Sequence, residues 1–271
     1  MKLSLEGKVA IVTGSSRGLG KATAYGLAKS GAKVVVASRT EETGGKLPGT
    51  IHETVDGIHA LGGDAIAIAT DVSKPESIDN LITKTLEHFS KIDIVVHNAA
   101  AISLGRVIDT KMSRWDLVWN INLRATAALI IGSYPSMKES GGGSIVVVTQ
   151  KVQPQKNGGP GFSPIYRLSK SASADLIEIM AEELINENIK INAVWPKTGR
   201  NTYGGVAARS RDGRAGQPGL SPLLFSDAVV ELVSQGSTGK TGLLLTDEDI
   251  LSASGVTDLS KYATDTDKPE F

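Results

Sequence analysis

Tyr166 and Lys170 stand four residues apart on a segment of helical character, which puts a phenol and an ammonium on one helix face. An ammonium beside a phenol favours the tyrosinate and is expected to draw the phenol pKa down towards working pH. That spacing alone is common. Roughly 150 residues upstream lies Thr13-Gly14-Ser15-Ser16-Arg17-Gly18-Leu19-Gly20, directly after the apolar run Val9–Val12. Glycines between a strand and a helix let backbone approach a pyrophosphate, whose charge the helix N-terminus favours. Gly14, Ser16, Arg17, Gly18, Leu19 and Gly20 are the expected contacts. A dinucleotide and a proton donor together describe a site that moves a hydride and a proton.

The end of the second apolar run discriminates between cofactors. A site for NAD(H) wants a carboxylate there for the ribose 2′-hydroxyl, and this chain has Ser38-Arg39-Thr40. A guanidinium pairs bidentately with a 2′-phosphate, and Arg17 could reach the same group, so NADP(H) is the expected cofactor. Asp71-Val72 follows the third run, where a carboxylate meets the adenine amino group. Asn98-Ala99-Ala100 follows the fourth, where small residues admit the cofactor.

Positioning these groups requires a sheet. Strands are predicted at Val9–Thr13, Lys33–Ser38, Ala65–Thr70, Ile92–His97, Ser144–Thr149, Lys190–Trp195 and Gly242–Thr246. Most are continuous apolar runs, as in parallel strands buried on both faces. Helices are predicted at Gly18–Ser30, Thr50–Leu61, Pro75–Phe89 (capped by Ser73), Ser113–Lys138, Ser163–Asn188 and Pro222–Ser234. The alternation implies an α/β fold: a doubly wound, Rossmann-type parallel sheet of about seven strands with helices on both faces. Residues 1–271 are expected to form one domain. Three segments break the rhythm: a Pro- and Gly-rich loop at Gln153–Pro164, a polar tail at Asp258–Phe271, and Lys197–Ser221 with its glycines and Arg200, Arg209, Arg211 and Arg214. The last is expected to be a substrate lid; its arginines are read as a solvated loop, with attraction of an anionic substrate as the alternative.

Lys+Arg and Asp+Glu both total 29, giving a formal net charge of zero, which argues against nucleic acid as a partner. There is no cysteine, so disulfides and thiolate metal sites are excluded and a reducing cytoplasm is the expected location. The apolar start is too short for a secretory signal, and no run approaches the length of a membrane span. His52, His59, His88 and His97 are dispersed without metal-ligand spacing, so no metal is expected.

From about Lys8 to Tyr262 the chain resembles the short-chain dehydrogenase/reductase family, through Thr13–Gly20, Asn98-Ala99 and Tyr166/Lys170. The resemblance implies a small-molecule substrate undergoing carbonyl–alcohol interconversion, with Tyr166 as general acid/base and Lys170 also on the nicotinamide ribose. It implies further that Asn122 holds a proton-relay water, with Asn120 as the competing candidate that the family's spacing to Leu123-Arg124 disfavours, and that Pro196 and Thr198 contact cofactor. It also implies a homodimer or homotetramer paired through the long helices. Lys46–Ile51, Ala193–Thr198 and Thr246–Asp258 are similar to a subgroup of hydroxysteroid-dehydrogenase-like and citronellol/citronellal-dehydrogenase-like proteins. The family's serine at the end of the fifth strand is absent. Gln150 stands where it normally falls, and Thr149 corresponds to the serine of the closer subgroup. Thr149 is the candidate for that role, with the Gln150 amide as alternative donor. Gln150, Lys151, Gln153 and Gln155 make the rim polar, against a hydrophobic terpenoid substrate. The rival reading is a non-catalytic NADP(H)-binding or regulatory protein that has lost its serine.

Overall fold

Val9–Thr13 is apolar to its last residue and buried at every position, and it forms β1 at the centre of a seven-stranded sheet. The computed structural model describes residues 4–45, 47–152, 163–211, 213, 215–236, 239–264 and 268–271. The strands are β2 (Lys33–Ser38), β3 (Ala65–Ala69), β4 (Ile94–His97), β5 (Gly143–Val148), β6 (Ile189–Trp195) and β7 (Leu244–Thr246). Their order is β3-β2-β1-β4-β5-β6-β7, and every pair is parallel. This is the predicted Rossmann-like sheet, and its order reverses between β1 and β4, opening a crevice at the carboxyl ends.

Helices cover both faces: α1 (Gly18–Lys29), α2 (Ile51–Ala60), α3 (Pro75–Phe89), α4 (Met112–Trp119), α5 (Ala125–Glu139), α6 (Pro164–Glu183), α7 (Tyr203–Arg211), α8 (Pro222–Ser234) and α9 (Asp247–Ala253). Ala10 and Val12 pack with α1, α2 and α8, whereas Ile11 packs with α3, α5 and α6, the alternation of a strand buried on both sides. Each fully buried Val, Leu or Ile contributes about 1.5–3 kcal/mol, so the sheet is the rigid part of the molecule. Thr50 caps α2 in a capping box with Glu53, an arrangement worth about 1 kcal/mol.

Four details differ from expectation. The helix predicted over Ser113–Lys138 is two helices joined by a π-helical turn, Asn120–Arg124. Ser73 does not cap α3; Lys74 occupies that position, and the Ser73 hydroxyl donates instead to Asp71 Oδ1 at 2.7 Å. Lys197–Ser221 is not irregular throughout, because it contains α7. The polar tail packs: Tyr262 is buried, Ala263 bridges Leu220, and Phe271 O accepts from the Gly18 N–H at 2.7 Å. Residues 153–162 of the predicted Pro- and Gly-rich loop, with Gln153 and Gln155, lie outside the described residues, as do Lys46, Arg214 and the Arg211 side chain.

Candidate active site

The glycine turn is shaped by contacts that only glycine permits. Gly14 has φ +66°, and a Cβ there would lie 2.9 Å from Ala99 Cα; a Cβ on Gly20 would collide with Gly14 O. Asn98 locks the turn, its Nδ2 donating to Thr13 O at 3.1 Å and Gly14 O at 3.0 Å. The α1 N-terminus has Arg17 at the cap position, no side-chain cap and no acidic residue in its first turn. The Gly18 N–H donates to Phe271 O at 2.7 Å, so the helix start already holds an oxygen acceptor; its dipole favours an anion there, and the glycine backbone is shaped for a pyrophosphate.

Behind the turn runs a network that the sequence did not disclose. His97 Nε2 lies 3.1 Å from Ile121 O, an obligate acceptor, and His97 Nδ1 lies 2.9 Å from Thr13 Oγ1. The ring must donate through Nε2 and accept at Nδ1, so Thr13 donates to it and accepts from the Asn98 and Ala99 N–H groups at 3.2 Å. Burial, then the Lys170 charge, push His97 down to about 4, consistent with a neutral ring. The signal was the position of Thr13 and His97 immediately before Gly14 and Asn98.

At the adenosine end both arginines reach the cleft, but differently. Arg17 Nε donates to Pro48 O at 2.8 Å and Nη2 to Gly49 O at 2.9 Å, stapling that loop to the glycine turn. Burial holds Arg17 below its ordinary pKa. Arg39 is exposed, lines the cleft and has no ion-pair partner among the described residues. Asp71 lies opposite: burial raises its carboxyl, but Ser73 hydrogen bonds and the charges of Arg39 and Lys74 together leave it below the usual range.

At the chemical end, α6 begins at Ser163, whose side chain accepts from the Tyr166 N–H. Lys170 is 6% exposed; its Nζ donates to Val148 O at 2.6 Å and sits 5.9 Å from the Tyr166 ring centroid. Burial lowers Lys170 to about 8 and pushes Tyr166 up to about 12. The expected depression of the phenol is therefore not met, because burial outweighs the ammonium. Thr149 donates to Lys170 O at 2.8 Å, and Gln150 lines the cleft beside Tyr166. Asn122, in the π-helical turn, accepts from the Ala101 N–H at 2.9 Å and donates to Ala101 O at 3.0 Å and Ser169 Oγ at 2.9 Å. Its side chain is a brace between the β4 loop and α6.

Gly14, Ser16, Arg17, Gly18, Leu19, Arg39, Asp71, Val72, Asn98, Ala99, Thr149, Tyr166, Lys170, Pro196 and Thr198 all line one cleft of about 610 Å³. Gly20 and Asn122 stand behind its wall. Along one side of it runs the stretch from Pro196 to Ala208, tied down by buried cations. Arg200 pairs with Asp247, the two side chains 1% and 0% exposed, and Arg209 Nη1 donates to Arg200 O at 3.1 Å. Neither arginine is solvated, and neither is left to attract an anionic substrate. Thr198 Oγ1 donates to Glu248 Oε1 at 2.8 Å. Among the described residues there is no cluster fit for a metal, and no helix is long and apolar enough to cross a membrane.

Comparison with known proteins bears on this geometry. The family described as short chain dehydrogenase matches residues 8–204. Hydroxysteroid dehydrogenase-like protein 2 of Mus musculus is 34% identical over 264 residues, 96% of this chain but only 52% of that protein. A putative dehydrogenase from Xanthomonas campestris has a solved structure with TM-score 0.86 and 31% identity, covering 98% of this chain and 97% of that one. L-sorbose reductase from Gluconobacter frateurii, solved with NADPH and L-sorbose, has TM-score 0.78 and 26% identity, with coverage of 91% and 97%. With the matched region spanning the glycine turn, the Asn98 lock and the Tyr166–Lys170 helix, this chain belongs to the short-chain dehydrogenase/reductase family.

Proposed function

We propose that this chain is an NADP(H)-dependent oxidoreductase that interconverts a carbonyl and an alcohol, with Tyr166 as the general acid/base. The observation that carries the reading is that Tyr166 and Lys170 line the same cleft as the glycine turn and Arg39. The glycine cradle and the α1 N-terminus, once Phe271 O gives up the Gly18 N–H, would receive the pyrophosphate, Arg39 the 2′-phosphate, and Asp71 the adenine amino group. The bound nicotinamide supplies or accepts the hydride. Tyr166, held protonated by burial, donates its proton to the substrate oxygen during reduction and recovers it during oxidation. Lys170, fixed by Val148 O, stands behind the phenol and within reach of ribose hydroxyls. Asn122, held by Ala101 and Ser169, is the residue for a relay water, the end of β5 provides a second donor from Thr149 or Gln150, and the 197–221 segment closes over the substrate. A cytoplasmic homo-oligomer acting on a small molecule is the expected setting.

Tyr166→Phe is expected to bind NADPH with nearly unchanged affinity, read by quenching or enhancement of cofactor fluorescence. Its turnover on any accepted carbonyl should fall by about 10²–10⁴-fold; full turnover would remove the proposed role. One observation favours a second reading, a non-catalytic NADP(H)-binding protein: no serine stands at the end of β5, and the Thr149 proton is committed to Lys170 O. NADPH oxidation across a panel of aldehydes and ketones separates the two.

A further inference from the structure

The end of β5 offers two side chains for the substrate oxygen, and their surroundings are unequal. β5 stops at Val148, and the Thr149 N–H donates to Val147 O at 2.9 Å. This closes a three-residue turn, so the strict alternation of a strand ends there. Thr149 turns onto α6, 2% exposed, with its hydroxyl donating to Lys170 O at 2.8 Å. A threonine hydroxyl carries one proton, and that proton is spent. What remains can only accept, whereas a carbonyl oxygen needs a donor. Lys151 is drawn away to Asp175 at 3.1 Å and to Glu178. Gln150 lines the cleft with Tyr166 and Lys170, and its amide has no hydrogen-bond partner among the described residues.

We propose, resting on the oxidoreductase reading above, that Gln150 is the second ligand of the substrate oxygen and selects carbonyls bearing an adjacent hydroxyl. Thr149 is then a positioning residue. Its bond to Lys170 O and the bond from Lys170 Nζ to Val148 O clamp one turn of α6 to the end of β5 at two points. The selectivity follows from the amide. A hydroxyl would offer the substrate one donor, but a primary amide presents an NH₂ donor and a carbonyl acceptor side by side. With the NH₂ on the reacting oxygen, Oε1 is left to accept from a hydroxyl on the neighbouring carbon. The substrate class is an α-hydroxy ketone or aldehyde in reduction and a vicinal diol in oxidation. A ketone without that hydroxyl leaves Oε1 unpaired when it displaces water from the cleft, and sites built to hydrogen-bond a hydroxyl discriminate strongly against analogues lacking it.

The test is steady-state reduction by NADPH of paired ketones, 3-hydroxy-2-butanone against 2-butanone and 2-hydroxycyclohexanone against cyclohexanone. The full chain, Gln150→Ala, Gln150→Asn, Thr149→Ser, Thr149→Val and Tyr166→Phe are compared. The unaltered chain is expected to favour each hydroxy ketone by at least about tenfold in kcat/KM. Gln150→Ala should lose about 10²-fold on the hydroxy ketones, typical of one donor to a reacting oxygen. It should bring each ratio close to one and leave NADPH affinity unchanged, and Gln150→Asn should restore part of the ratio. Thr149→Ser should keep the hydroxy-ketone ratio of the unaltered chain, and Thr149→Val should slow both members of a pair equally. An active chain whose ratio survives Gln150→Ala, or is abolished by Thr149→Val, overturns this inference alone. A chain inert on every ketone, indistinguishable from Tyr166→Phe, overturns the oxidoreductase reading and this inference with it.

Discussion

At the scale of single residues, cofactor choice turns on two arginines with different freedom. Arg17 spends its guanidinium on Pro48 O and Gly49 O, whereas Arg39 stands exposed at the end of β2 without a carboxylate partner among the described residues. A bidentate guanidinium–phosphate contact is a strong, charge-assisted one. Arg39→Ala is therefore expected to weaken NADPH binding by at least about tenfold and leave NADH binding unchanged, measured by fluorescence titration of both. Equal losses for the two nucleotides would remove Arg39 from the 2′-phosphate. Arg17→Ala should instead lower thermal stability, because it releases the loop that Arg17 staples. The sequence made both arginines visible because their positions after β1 and β2 are fixed by the motif. It could not show that backbone carbonyls would claim Arg17, since carbonyls carry no residue signature. The phenol was misjudged for a related reason: spacing reveals the ammonium, but the depth of burial that raises Tyr166 depends on everything packed around it.

At the scale of elements, His97 joins three of them: β4, where it resides, β1 through Thr13, and the π-helical turn through Ile121 O. The folded ring titrates at about 4, below its ordinary 6.5. As pH falls, the unfolded chain takes up the proton first, so stability is lost between about 6.5 and 4 and is unaffected above that window. Between pH 7 and pH 5 the loss from this group is about 2 kcal/mol. Urea unfolding of His97→Gln is expected to show a pH 7 to pH 5 difference smaller by about that amount. An unchanged difference would mean that the ring is not buried neutral. The strands were legible to within two residues at each end, because burial on both faces writes a continuous apolar run. The π-helical turn was not, since Ser113–Lys138 has no proline or glycine at Asn120–Arg124 to interrupt a helical pattern. What accompanies it is a tertiary bond set, Asn122 to Ala101 and Ser169, which leaves no local signature. Helix α7 was hidden by the opposite difficulty. Gly204 and Gly205 lower its intrinsic propensity, and the buried Arg209 anchors it from within.

At the scale of the molecule, the outer layer over one face of the sheet is built from α3, α4, α5 and α6, and it leaves large apolar side chains uncovered. Ile131 on α5 is 67% exposed, and on α6 Leu168 and Ile179 are 52% and 60% exposed. Leu168 and Ile179 are eleven residues apart, three helical turns, so they lie on one face of α6 with the charged Asp175 between them. Single apolar residues on a surface need no explanation, but three large ones on the two long helices of one layer mark a candidate contact. The formal net charge of zero sets up no long-range repulsion between copies. These features agree with the expectation of pairing through the long helices, so light scattering of the purified chain should give the mass of a dimer or tetramer. The double variant Ile131→Asp/Ile179→Asp should give a smaller species with unchanged helix content by circular dichroism, because two carboxylates on an apolar seam meet their symmetry mates without compensation. NADPH binding should survive in that species, since the glycine turn and Arg39 lie at the carboxyl ends of β1 and β2, and α5 and α6 are packed beyond β4 and β5. A monomeric unaltered chain, or a double variant that keeps its full mass, would rule out this face as the contact between copies.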